Sequence, residues 1–173
     1  FPTHPLVPEI FLTLGRYYRE KGGHHRALQL FYRVMNAALR ISRDQIALYQ
    51  QATLQAQLEI ARTYFDLGSY TKAAEFFERI DPAPLEDFDK QSLLFEGAYA
   101  RYLAGEAERA LWKLEAFVKR FSSSFFTAQA YFLLSLLYEK NQRQGDANEA
   151  VLTLLTAKPQ DLVETSDTAE RDK

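Results

Sequence analysis

The sequence predicts an all-α fold built of stacked helical hairpins, and three observations carry that prediction. Glycine (7) and proline (6) are scarce among 173 residues, while Ala, Leu, Glu, Gln and Arg are plentiful, a composition that favours helix. A large residue, a small residue four later and a third residue three after that, aromatic in three copies, recur four times at helical spacing. Glycine follows the first helix of three copies, at Gly22, Gly68 and Gly105, where a left-handed residue ends a helix.

The elements follow in order. The first copy reads Phe11, Leu14, Gly15 and Tyr18, then Ala27 and Phe31, which sets helices over 8–21 and 24–40. The second reads Gln57, Ile60, Ala61 and Tyr64, then Ala73 and Phe77, with helices over 43–67 and 70–80. Its first helix is long, starts on the capping-box spacing of "SRDQ" at Ser42, and overhangs the repeat by half its length. "DPAP" at 81–84 then breaks the chain, because proline cannot continue a helix. The third copy reads Leu94, Gly97, Ala98 and Arg101, then Ala110 and Leu114, with helices over 87–104 and 107–120. The carboxylates Glu86, Asp87 and Asp89 stand at its start, where the helix dipole favours them. The fourth reads Tyr131, Leu134, Ser135 and Tyr138, then Ala150 and Leu154, with helices over 125–141 and 146–157. Its start signals are the serines of "FSSSFF" and the capping-box spacing of "DANE" at Asp146. The step from the residue at the head of the turn to the alanine is nine in the first three copies, but twelve from Tyr138 to Ala150. Three extra residues are therefore expected within "EKNQRQGD". The expected core comprises Leu14, Tyr18, Leu28, Phe31, Ile60, Tyr64, Phe77, Leu94, Leu111, Leu114, Leu134 and Tyr138, with Trp112 packed beside Leu111.

Over roughly 8–158 this pattern resembles the tetratricopeptide repeat (TPR), and the first copy matches it closely. The resemblance implies a right-handed α-α superhelix, a solenoid of about four TPR-like hairpins, over residues 1–159. Residues 160–173, "QDLVETSDTAERDK", are polar and acidic and are expected to be a disordered tail. The resemblance also implies a concave groove lined by the first helices. Carried over by position, the groove residues are Leu12, Arg16 and Arg19, then Leu58, Arg62 and Phe65, then Phe95, Tyr99 and Tyr102, then Phe132, Leu136 and Glu139. This is a cationic mouth leading to an aromatic stripe, suited to a peptide with acidic and apolar anchors. The long helix or the tail could fill the same groove from within the chain. The repeats that clamp a chaperone's C-terminal carboxylate use Lys, Asn, Asn, Lys and Arg where this chain has Leu12, Arg16, Glu59, Ser92 and Glu96. Two acids there would repel the carboxylate. The stretch from Phe117 to Val151 is similar to the junction of bacterial envelope repeat proteins such as outer-membrane assembly lipoproteins, with Phe121-Ser122 in place of Tyr-Pro. That likeness implies a periplasmic or envelope location, while a cytoplasmic one stays open.

Chemistry finds little support. Zinc needs three or four ligands at defined spacing, and the chain has no cysteine and only His4, His24 and His25. His24 falls where the family places a residue plugging the turn. Gly22-Gly23 lacks the partners of a phosphate loop, and no serine elbow surrounds 122–124. No catalytic residue, metal site or cofactor is expected, so the chain reads as a non-enzymatic scaffold for a protein or peptide partner. No apolar run reaches the ~18 residues of a membrane span. The chain begins at Phe1 rather than Met, so a processed piece is expected, from which a signal peptide or lipid anchor could have been removed.

A net charge of -2 offers no attraction to nucleic acid. It is unevenly spread, with seven basic against two acidic residues over 9–43 and four against ten over 44–96. Ordinary surface charge is one reading. Complementary patches joining a partner or a second copy, through them and the helix at 43–67, give the alternative of a self-assembling, homo-oligomeric module.

Overall fold

A computed structural model describes residues 6–38 and 46–156, with the side chains of 46–48 excepted. Among them are eight helices: α1 (Val7–Glu20), α2 (His24–Ala38), α3 (Ile46–Asp66), α4 (Tyr70–Arg79), α5 (Asp87–Leu103), α6 (Ala107–Arg120), α7 (Thr127–Lys140) and α8 (Gln144–Thr156). No strand occurs among the described residues. The cap expected at Ser42 and the tail from 160 lie outside them. The helices form two compact units, Phe1–Leu85 and Glu86–Lys173, each of two hairpins.

One turn motif joins the helices of every hairpin. The amide N–H of Gly23, Ser69, Glu106 and Arg143 donates to the carbonyl of Tyr18, Tyr64, Arg101 and Tyr138 at 2.7–3.0 Å. The residue before each donor is left-handed: Gly22 (φ 75°), Gly68 (70°), Gly105 (82°) and Gln142 (60°). This is a Schellman ending, which satisfies carbonyls that the helix terminus leaves open. The next helix then starts with Ala27, Ala73, Ala110 and Ala147 donating to the carbonyls of Gly23, Ser69, Glu106 and Arg143.

This register corrects the fourth copy. Its turn alanine is Ala147, not Ala150, so the step from Tyr138 is again nine residues and nothing is inserted. Gln142 stands where the other three turns have glycine, and the absence of glycine there hid the turn. Helix α8 starts at Gln144, which puts Asp146 in its first turn, bonded by Arg143 Nε at 2.6 Å, rather than at its cap. The serines do not cap α7 either. Ser124 is buried and accepts the Phe126 N–H at 3.2 Å, and Thr127 Oγ1 donates to the Phe121 carbonyl at 2.8 Å. "DPAP" does interrupt the helices, with the Ala83 N–H bonded to Asp81 Oδ1 at 2.9 Å.

In the first unit Ala27, Phe31 and Val34 of α2 pack on Ala52, Ala56 and Ile60 of α3. In the second, Ala110, Leu114 and Phe117 of α6 pack on Ala130, Leu134 and Leu137 of α7. The small residue of the pattern sets the approach within the first hairpin: a Cβ on Gly15 would lie 2.8 Å from Cζ of the fully buried Phe31. Three expectations about burial fail. Leu14 is exposed, because its face of α1 points away from α2. Trp112 is 69% exposed, since its position on α6 lies opposite the packed face of Ala110, Leu114 and Phe117. Leu12 and Leu58 are core residues, not groove residues.

Candidate partner-binding site

Arg16, Arg19 and Arg62 converge on a single acid. Glu59 of α3, its side chain 3% exposed, accepts Arg16 Nε at 2.9 Å, lies 3.2 Å from Arg19 Nε and 3.5 Å from Arg62 Nη1. The Arg19 contact is an ion pair without hydrogen-bond alignment. Arg16 Nη2 also donates to Gln55 at 2.9 Å, and Arg19 Nη1 to Asp66 at 3.2 Å. Gln55, Glu59, Arg62 and Asp66 recur at helical spacing on one face of α3, and Arg16 and Arg19 sit one turn apart on α1. Burying Glu59 alone would be costly, and three guanidinium groups offset that cost. The Arg16 side chain is 40% exposed, against 21% and 19% for Arg19 and Arg62.

The cationic mouth is therefore a cluster already partly neutralised from the second repeat. This also bears on the alternative of charge-driven assembly: the opposite charges of the first and second repeats meet within the chain at Arg16, Arg19, Glu59 and Asp66. The long helix likewise turns Tyr49 and Ala52 into its own unit. Phe65 is half-buried, its ring edge-on to Tyr70 at 5.3 Å.

In the second unit Phe95, Tyr99 and Tyr102 form a stacked row along α5, with centroids 6.1 and 6.4 Å apart. Phe95 belongs to the core rather than to a groove, stacked on Phe126 at 5.1 Å and tilted against Phe117 at 5.9 Å. Tyr99 and Tyr102 are half-buried, and Phe132 and Leu136 of α7 are exposed. Phe88 and Phe125, which the repeat pattern did not single out, are exposed and flank Phe126 at 5.7 and 5.3 Å. Their only signal in the sequence is a large aromatic beside a helix start.

Arg101 replaces the tyrosine of the other repeats and is buried with its charge matched by Glu106 at 2.6 Å, a residue that also bonds Arg109 at 3.0 Å. In the fourth repeat Arg143 lies 4.5 Å over the Tyr138 ring, and both bond Glu115, at 3.1 and 2.9 Å. Burial, then the bond to Glu115 and its negative charge, push the Tyr138 hydroxyl up to about 12. Tyr32 is raised to about 12 by burial and by its bond to Tyr64.

A cavity of about 720 Å³ lies in the first unit beside α3, lined in part by Tyr49, Gln50, Thr53, Gln57 and Pro84. The hydroxyls of Tyr49 and Thr53 are shielded from solvent there without a hydrogen-bond partner among the described residues. His24 is half-buried at the start of α2. His4 lies outside the described residues. Among the described residues no cluster of three or more His, Asp or Glu could hold a metal, and no helix is long and apolar enough to cross a membrane.

Residues 54–80, most of the second hairpin, match the family model described as tetratricopeptide repeat. A solved structure described as "Crystal structure of MamA protein" is similar over 90% of this chain and 75% of that one, with 18% identity and a TM-score of 0.68. At that identity the likeness establishes the fold. No curated protein matches the sequence. The chain thus has an all-α fold of helical hairpins, with a tetratricopeptide-repeat match in the second of them. The shared turn register extends the pattern of the matched hairpin to the other three.

Proposed function

We propose that this chain is a non-enzymatic scaffold that binds a peptide segment of a protein partner on the first helices of its repeats, with an acidic anchor at Arg16, Arg19 and Arg62. The observation that carries the reading is the pre-set Arg16 guanidinium. Glu59 and Gln55 fix it in place while 40% of the side chain faces solvent. These bonds use two of the five N–H donors of the group, and a fixed fork loses little entropy when it takes a carboxylate. Phe65 beside the cluster, and Tyr99, Tyr102 and Phe132 on the second unit with Phe95 beneath the stack, supply apolar contact area for the same class of ligand. Because Glu59 and Asp66 compete for the cations, the affinity expected is modest and salt-sensitive.

The test is selection of a random peptide library on the immobilised chain, with Arg16→Gln and Phe132→Ala variants in parallel. Enrichment of peptides pairing acidic with aromatic residues, lost on Arg16→Gln, is the expected result. Selection of basic peptides, or an enrichment that Arg16→Gln leaves intact, would reject the reading. A place in the bacterial envelope belongs to the same proposal. Its support is the junction sequence around Phe121, where Phe117 and Phe121 pack at 5.3 Å before α7. Fractionation of cells expressing the complete protein tests it, and recovery in the cytosol alone would count against it.

A further inference from the structure

Ile10, Leu14 and Tyr17 form an exposed apolar stripe along α1. The turn motif sets the equivalences. Residue 18 corresponds to 64 and 138, so Ile10, Leu14 and Tyr17 correspond to Ala56, Ile60 and Thr63 of α3 and to Ala130, Leu134 and Leu137 of α7. All six of those are buried. The α3 face is the seat for Ala27, Phe31 and Val34 of α2, and the α7 face the seat for Ala110, Leu114 and Phe117 of α6. The α1 stripe is therefore the receiving half of the joint that links one repeat to the next, with nothing among the described residues seated on it.

The other half of the joint stands on α8. Ala27 and Ala110 correspond to Ala147, so Phe31 and Leu114 correspond to Val151, and Val34 and Phe117 to Leu154. Val118, which packs against the second-unit core, corresponds to Leu155. Val151 and Leu155 are exposed and Leu154 is half-buried. The inserting face that α2 and α6 spend on the following helix is thus displayed by α8 in the same register.

We infer that the α8 face of one copy docks on the α1 stripe of a second copy, repeating between chains the joint that each chain uses internally. The occupant is a second copy because the two surfaces are the matched halves of one interface, carried on the first and last described helices of one chain. Such a contact is heterologous, joining two unlike faces, so a pair of copies still carries an unused α8 face and an unused α1 stripe. This inference does not rest on the peptide-binding reading, since it uses neither the arginine cluster nor the aromatic row.

The experiment is sedimentation velocity of the 173-residue chain over a wide concentration range, alone and as Ile10→Lys and Leu155→Lys. Both positions are more than half exposed, at 56% and 79%, so neither substitution disturbs the monomer core. Expected are a mean mass that grows with concentration in the unsubstituted chain and association weakened by more than about tenfold in either variant alone, or about 1.4 kcal/mol. A one-to-one mixture of the two variants should form a dimer that grows no further, because only one α8 face and one α1 stripe remain competent. An unsubstituted chain that stays monomeric throughout overturns the inference. So does association that survives in either variant alone, or a mixture that stays monomeric.

Discussion

Replacing Glu59 by glutamine should lower stability and raise affinity for an acidic peptide at the same time. Glu59 meets three guanidinium groups at 2.9, 3.2 and 3.5 Å. At such distances and an effective dielectric near 20, each contact is worth about 4 kcal/mol of Coulomb energy before desolvation. Most of that sum offsets the cost of taking Glu59 out of water. Removing one partner of a buried pair costs about 3–5 kcal/mol. The arginines reach solvent and glutamine keeps an acceptor, so about 2–3 kcal/mol is expected, a fall in Tm of roughly 5–10 °C for a chain of this size. Calorimetry gives the Tm, and anisotropy of a labelled acidic peptide from the library gives the affinity. A double-mutant cycle with Arg16→Gln isolates the pair itself. A loss under about 0.5 kcal/mol would refute the view that Glu59 holds the cluster. Unchanged or weaker peptide affinity in a folded Glu59→Gln would refute the view that it competes for a ligand site.

Gln142→Gly should raise Tm by about 2–4 °C, since a left-handed residue other than glycine costs about 1 kcal/mol; a fall would contradict the turn register of the fourth repeat. Gly15→Ala should destabilise by about 1–3 kcal/mol in denaturant titrations, because the new methyl meets the buried Phe31 ring. Trp112 is the sole tryptophan and is exposed, so the native emission maximum should match that of a solvated indole, and Trp112→Ala should change stability by under about 0.5 kcal/mol; a blue-shifted maximum would contradict its placement. Two of the ten tyrosines, Tyr32 and Tyr138, should ionise late, near pH 12, in an ultraviolet titration. Their folded pKa values lie above the ordinary value of 10, so their contribution to stability is complete below pH 10 and is lost between about 10 and 12. Tyr138→Phe should remove one of the two late transitions.

The helices and most of their ends were legible because periodicity and turn glycines speak locally. The fourth turn was misread for a local reason as well. Gln142 carries no glycine signal, and pairing Tyr138 with Ala150 instead of Ala147 makes three residues look inserted. The arginines were found at their positions, but their pairing with Glu59 was not, because a contact between residues 16 and 59 depends on how α1 and α3 meet. Equal spacing likewise assigned Phe95 to the same face as Tyr99, whereas Phe117 and Phe126 close over the first and leave the second half-buried. Leu14 and Trp112 were misjudged together, since hydrophobicity alone does not tell a packed face from an open one.

The most direct test of the scaffold account is a titration of the isotope-labelled chain with a library-selected acidic-aromatic peptide, followed by amide chemical shifts. The account predicts shifts concentrated on α1 and α3 around Arg16, Arg19 and Arg62 and on α5 and α7 around Tyr99 and Phe132, with the first set abolished by Arg16→Gln. Shifts confined to α2, α4 and α6, or none at peptide concentrations well above those used in selection, would contradict it.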